Sequence, residues 1–293
     1  MDFAVSGDLS ASADKVAPVR IGLWDRYGGS MPSGQMRWLM EQFELPFRVV
    51  YPQELDAGNL RAKFDVLIFP ENSIPGVGGG GFAGGRGGGG GGRGGRGGGP
   101  ESIPAEFQAM IGSVTSERTI PKLKEFVQQG GRIIAIGPSS MNIAQQFGFP
   151  VTNHLVERTP TGSSSTPLPR EKFYVPGSLL EVAYDTTTDA ARGEDPRGIV
   201  FFENSPVFRL GPDAVLKGVK PVAWFDSGAP LKSGWAWGQN YLDQGVAMAE
   251  AKYGQGTVYL YGPEITFRAQ PHATFKLLFN AIAGPRPENR IIP

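Results

Sequence analysis

The sequence predicts an α/β fold built on a mostly parallel sheet, and three observations carry that expectation. Short apolar runs recur at Val19 to Trp24, Phe47 to Tyr51, Asp65 to Pro70 and Ile133 to Ile136. Runs of this length without polar alternation describe strands buried on both faces. Stretches with helical spacing stand between them, and strands alternating with helices indicate βαβ units. The third observation is Gly130-Gly131-Arg132-Ile133-Ile134-Ala135-Ile136-Gly137-Pro138-Ser139-Ser140, a strand that enters a tight turn and opens a helix. In open α/β sheets the crevice beyond the carboxyl ends of the strands is where ligands and catalytic groups sit.

Taken in order, Val19 to Trp24 is the first strand. After the Tyr27 to Pro32 loop, Ser33 is expected to cap a helix through Phe43, with Trp38, Leu39, Gln42 and Phe43 forming its apolar face. Pro46 stops that helix and Phe47 to Tyr51 follows as a strand. Leu60 to Lys63 leads into the third strand, Asp65 to Pro70. The Pro121 to Gln129 helix turns Leu123, Phe126 and Val127 inward ahead of the fourth strand, and Ser139 or Ser140 caps the helix Met141 to Phe147. Val151 to Arg170, rich in Thr, Ser and Pro, is expected to be irregular. Shorter strands follow at Phe173 to Val175, Leu179 to Tyr184, Ile199 to Phe202 and Val222 to Asp226. A last pair, Gly245 to Ala251 and Gly256 to Tyr261, flanks Tyr253-Gly254-Gln255, and Pro271 starts a helix through Ile282. These late strands are expected to extend the same sheet, partly antiparallel.

Composition narrows the functional classes. The chain has 293 residues, with Lys+Arg 28 and Asp+Glu 28, so no net field draws it to nucleic acid or anionic lipid. It contains no cysteine, which excludes disulfides, thiolate zinc sites and a cysteine nucleophile. No apolar run approaches the roughly 20 residues of a membrane span. Residues 1–18 are expected to be a linker or tail, with neither the basic start nor the apolar run of a signal peptide, residues 19–284 one domain, and 285–293 a second tail. From Gly76 to Gly99 only Val77, Phe82, Ala83 and three arginines interrupt the glycine. A segment of this kind (76–100) cannot offset the entropy of ordering and is expected to be a disordered surface insertion. Its alternative role, single-strand nucleic-acid binding through Arg86, Arg93 and Arg96, has a weak electrostatic footprint.

Chemistry-bearing residues collect after the strands. Asp25, Glu71 and Glu264 each follow an apolar run, and such carboxylates either do acid/base work, bind a cation or form a salt-bridged rim. Arg268 is placed to act as their counter-ion or to hold a substrate carboxylate. Gly28-Gly29 is placed to offer backbone amides to an anion. Of Trp235 and Trp237, one is expected in the core and the other free to stack a ligand. A serine nucleophile at Ser139 would need a base, and His272 is the one suitably placed. The alternative is a helix cap at Ser139 and a helix-start residue at His272.

Several blocks resemble a known family: Arg20 to Gly34 with Phe47 to Leu60, Arg170 to Ser178, Ser233 to Gln239, and Gly262-Pro263-Glu264-Ile265-Thr266-Phe267-Arg268 with Gln270-Pro271-His272. Together they resemble the C-terminal region of bacterial M14-type (zinc carboxypeptidase-like) peptidase proteins, from about Val19 to Ile282. The resemblance implies a class I glutamine amidotransferase-like domain, a flavodoxin-like three-layer sandwich, in a periplasmic or extracellular protein. In M14 peptidases a His-x-x-Glu pair and a distant His hold zinc. His154 and Glu157 have that spacing but lie in the amidotransferase-like part, so they are expected to be polar loop residues, with no metal and no cofactor. The cysteine of amidotransferase-like enzymes falls on Gly137. The resemblance therefore implies a non-catalytic accessory domain that docks a protein partner, forms a homo-oligomer or binds a small ligand through Asp25, Gly28, Gly29, Glu71, Gly137, Glu264 and Arg268. A hydrolase using Ser139 or a carboxylate such as Glu264 with His272 is the alternative.

Overall fold

The computed structural model describes residues 18–77, 103–159 and 162–285. The first half alternates as expected: β1 (Ile21–Trp24), α1 (Met31–Gln42), β2 (Phe47–Val50), α2 (Pro52–Asp56), α3 (Leu60–Lys63), β3 (Val66–Phe69), α4 (Thr119–Gln128), β4 (Arg132–Ile136) and α5 (Pro138–Phe147). The second half is mainly strands: β5 (Val151–Asn153), β6 (Val156–Thr159), β7 (Gly162–Pro167), β8 (Pro176–Tyr184), β9 (Arg197–Glu203), β10 (Phe208–Leu210), β11 (Val219–Trp224), β12 (Leu231–Ser233), β13 (Val246–Tyr253) and β14 (Gly256–Tyr261). Helix α6 (Phe275–Ala283) closes the described chain.

The helix-covered centre of the sheet is parallel, in the order β2-β1-β3-β4-β14. This is the flavodoxin-like order, in which the winding of the chain reverses between the parallel neighbours β1 and β3. β14 turns back through a hairpin onto β13, and the sheet continues antiparallel through β11 and β8 to β12, twelve strands in all. Alternate residues of the parallel strands enter separate cores. Ile21, Leu23, Ile68, Ile134 and Tyr259 pack with α1 and α6, whereas Leu67, Phe69, Ile133, Ala135 and Leu260 pack with α4 and α5. Two cores across one sheet make the three layers.

Several local expectations are corrected. Ser30, not Ser33, caps α1: its hydroxyl accepts from Ser33 N–H, and Ser33 lies in the first turn donating to the Trp24 carbonyl at 2.6 Å. The buried face of α1 is Met36, Leu39 and Met40, leaving Trp38 and Phe43 half exposed. Gly137 precedes α5, so neither Ser139 nor Ser140 is its cap. The stretch after Pro150 is not irregular: β5 joins the main sheet through β10, and β6 and β7 form a separate hairpin. Polar strands such as these lack the apolar run that marks a buried one. Phe173 to Val175 is not a strand; Tyr174 makes one isolated bridge to Trp237. A 3-10 turn at His272–Thr274 precedes α6, which starts at Phe275 rather than Pro271. Met1 to Ala17, most of the glycine-rich insertion with Arg86, Arg93 and Arg96, and 286–293 lie outside the described residues.

The amino end of the parallel block is pinned electrostatically. The Arg20 backbone N–H and guanidinium donate to Asp65 at 2.9–3.0 Å, Arg61 adds a further bond, and the Asp65 carbonyl accepts from Arg132 N–H. The Arg20 hydrogen bonds, with smaller help from Arg61, hold the Asp65 carboxyl well below the usual carboxylate range. A depressed carboxylate stabilises the fold fully above its unfolded pKa of about 4, and that contribution fades as pH falls toward the folded value. Asp65→Asn should therefore lower stability at pH 7 by about 1 kcal/mol, discounted for solvent screening. The gap from the unmodified chain should narrow in urea titrations below about pH 4.

Candidate functional site

The carboxyl ends of β1, β3, β4 and β14 deliver Asp25, Glu71, Gly137 and Glu264 to one edge of the sheet. At the centre stands the turn from β4 into α5. Gly137 has φ 61° and ψ −142°, a backbone that only glycine adopts without strain. Its N–H donates to the Tyr261 carbonyl at 2.8 Å, tying the turn to β14. Pro138 then opens the helix with a ring suited to its first turn. The strand, sharp turn and helix reproduce a nucleophile elbow in backbone only. A Cβ at Gly137 would lie 3.1 Å from Glu71 Cγ, so Glu71 packs directly over the position a nucleophile would take.

The serines beside this turn serve the scaffold. Ser139 is fully buried; its hydroxyl donates to the Pro70 carbonyl at 2.7 Å and accepts from Ser73 N–H at 2.9 Å. Ser73 Oγ lies a further 3.0 Å away. Ser140 Oγ donates to the Gly137 carbonyl at 2.6 Å. His272 is exposed and stacks on Phe275, with ring centroids 5.0 Å apart. Ser139 thus bonds to the loop after β3 while His272 stacks on α6, and the Ser/His arrangement is not formed.

Asp25 is almost fully buried and takes the salt-bridged alternative: it accepts from Arg37 Nη2 at 2.8 Å and from Arg26 N–H at 2.9 Å. Gly29 N–H closes a turn on the Arg26 carbonyl at 2.8 Å. That spends one of the two amides, and Gly28-Gly29 supplies no paired anion cradle. Glu264 is half-buried, and its carbonyl opens the turn that carries Phe267 and Arg268. His154 is buried with Nε2 3.1 Å from the Asp243 carbonyl, and Glu157 pairs with Lys172 at 2.7 Å. Among the described residues no cluster of three metal-ligating side chains exists.

Arg268 does not act as a counter-ion to the strand-end carboxylates. It sits at φ 48° in the left-handed region, as does Ala269, and its backbone N–H donates to Gln35 Oε1 of α1 at 3.0 Å. With Met31, Gly34, Gln35 and Trp38 it lines an open groove of about 430 Å³. The sequence reading missed the α1 side of this groove. Met31, Gln35 and Trp38 recur at i, i+4 and i+7, a second stripe opposite the buried one, and that spacing was the available signal.

Trp235 and Trp237 are also corrected. Both are half exposed, at 53% and 54%. Residues two apart on extended chain share a face, so they could not divide between core and solvent. Trp237 Nε1 donates to the Glu171 carbonyl and Trp235 packs edge-on to Tyr174. A Cβ at Gly238 would lie 1.9 Å from the Lys172 carbonyl, so this close approach requires glycine.

No protein-family model and no curated protein matches the chain. Among solved structures it is similar to a ThuA-like protein from Bacteroides uniformis, at 10% identity over 94% of each chain and a TM-score of 0.44. It is also similar to PurLQS from Thermotoga maritima, at 12% identity over 90% of this chain and 98% of that one, TM-score 0.47. A β-galactosidase from Rahnella sp. R3 matches at 12% identity and TM-score 0.47, over 96% of this chain and 33% of its own. Likeness at this level assigns no activity.

The turn supplies two stability predictions. Gly137→Ala forces a left-handed backbone on an L-residue against Glu71 and should cost about 1–3 kcal/mol. Ser139→Ala leaves Ser73 N–H buried without its partner and should also cost about 1–3 kcal/mol. Chemical denaturation midpoints of the two variants check both values.

Proposed function

We propose that this chain works by binding rather than by turnover, as a non-catalytic, amidotransferase-like accessory domain. The resemblance to the C-terminal region of M14-type peptidase proteins supports a periplasmic or extracellular carboxypeptidase-like protein as its setting. The observation that carries this reading is the closed elbow. Glu71 covers Gly137, and the Ser139 hydroxyl gives its one proton to the Pro70 carbonyl. A nucleophile needs a base within hydrogen-bond reach and an open face toward substrate. Ser139 would have to leave the loop after β3 to gain either. Binding is served instead by exposed surface that the fold positions: two indoles that contact Glu171 and Tyr174, and the groove beside Arg268.

Turnover assays on the purified chain test the reading. With p-nitrophenyl acetate, L-glutamine and a blocked dipeptide as substrates, the expected rate equals that of Ser139→Ala and His272→Ala. Turnover that His272→Ala abolishes while leaving the melting temperature unchanged would overturn the proposal in favour of a hydrolase.

A further inference from the structure

Resting on the binding reading above, we propose that the groove between α1 and the turn at Phe267–Ala269 is a carboxylate site for a ligand with an apolar body of ring size. Helix α1 buries Met36, Leu39 and Met40, and the opposite stripe of Met31, Gly34, Gln35 and Trp38 forms one wall and the floor. Met31 is 73% exposed and Trp38 53%, an apolar display that folding does not require. Gly34 sets the depth, since a Cβ there would meet no atom within 4 Å. The groove is open to solvent, and its volume of about 430 Å³ lies within the span of small-molecule sites.

The polar groups of this groove are donors. Gln35 Oε1 is taken by Arg268 N–H, which fixes the carboxamide and turns its Nε2 into the donor that remains. The Arg268 guanidinium lies beside the Phe267 ring, 5.1 Å from its centroid, and among the described residues no carboxylate forms an ion pair with it. The Trp38 indole offers one more N–H. Arginine and tryptophan accept no hydrogen bonds, so this set is satisfied by a group that only accepts. A single guanidinium matches a single negative charge, and the planar fork of a carboxylate fits it with two parallel bonds. The apolar remainder of the ligand then covers Met31 and Trp38. The left-handed backbone of Arg268 and Ala269 holds the arginine in register with Gln35, an outlier of the kind that accompanies ligand clamps.

A free aromatic acid and the C-terminus of a peptide ending in an aromatic residue share this chemistry. Calorimetric titration of the full chain with N-acetyl-phenylalanine and with its carboxamide tests the site, and a hexapeptide ending in Phe, free or amidated, separates the two sources. The acid should bind about tenfold more tightly than the amide. Arg268→Gly suits the left-handed turn, so it should fold and lose that preference. Gly34→Leu should fill the groove, abolish binding of both compounds and leave the melting temperature no lower. Preference for the free-acid peptide would make peptide termini the ligand, and preference confined to the small acid would make it a metabolite; both support the site. Equal affinity for acid and amide, absence of binding at millimolar acid, or a preference that survives Arg268→Gly would overturn it. Release of ammonia and N-acetyl-phenylalanine from the carboxamide would instead overturn the non-catalytic reading, and the affinity comparison would still judge the groove.

Discussion

Burial of both faces of the parallel block is the constraint on which the other features depend. β3, β4 and β14 place successive side chains in alternate cores, and almost none of those residues touches water. A strand in that position cannot carry a polar side chain without a buried partner, so polar chemistry is displaced to its ends. The helices must then cover both faces, α1 and α6 on one side and α2 to α5 on the other. The ends of the central strands collect Asp25, Glu71, Gly137 and Glu264 because the sheet itself has no room for them.

The turn after β4 shows how a catalytic shape can persist as a structural joint. Its backbone has the left-handed kink of an elbow, but the two serine hydroxyls and the Gly137 amide are committed inward. Ser139 stitches α5 to the loop after β3, Ser140 satisfies the Gly137 carbonyl, and Gly137 N–H holds β14. Glycine at the apex lets Glu71 approach closely enough to close the surface. The same geometry that would expose a side chain in an enzyme here lets two loops and a helix interlock.

Helix α1 links that edge of the sheet to the surface. Its inner stripe supplies core, Arg37 neutralises the buried Asp25, and Gln35 on the outer stripe anchors the turn that carries Arg268. A helix used on three sides is fixed in place by packing, an ion pair and a hydrogen bond, and the groove lies against it. A preorganised surface lowers the ordering cost of binding.

The sequence by itself determined the parallel core. The continuous apolar runs of β1, β3 and β4 announce two-sided burial, and Leu123, Phe126 and Val127 turn inward as their spacing requires, whereas the parallel pairing of β14 with β4 came only with the tertiary structure. It also determined that the elbow has no thiol, since Gly137 is read directly. Local signals failed where two neighbours compete or where pattern is weak. Ser30 and Ser33 both suit a cap, β5 to β7 are too polar to resemble buried strands, and the two tryptophans are half exposed against Glu171 and Tyr174, contacts that local spacing does not announce. The tertiary structure alone decided the groove and the fate of the strand-end residues. Gln35 and Arg268 are 233 residues apart in the chain, and Asp25 found Arg37 instead of the crevice. Hydrogen bonds between groups so distant exist only after the sheet has ordered the strands between them, which is why no periodicity or motif announces them.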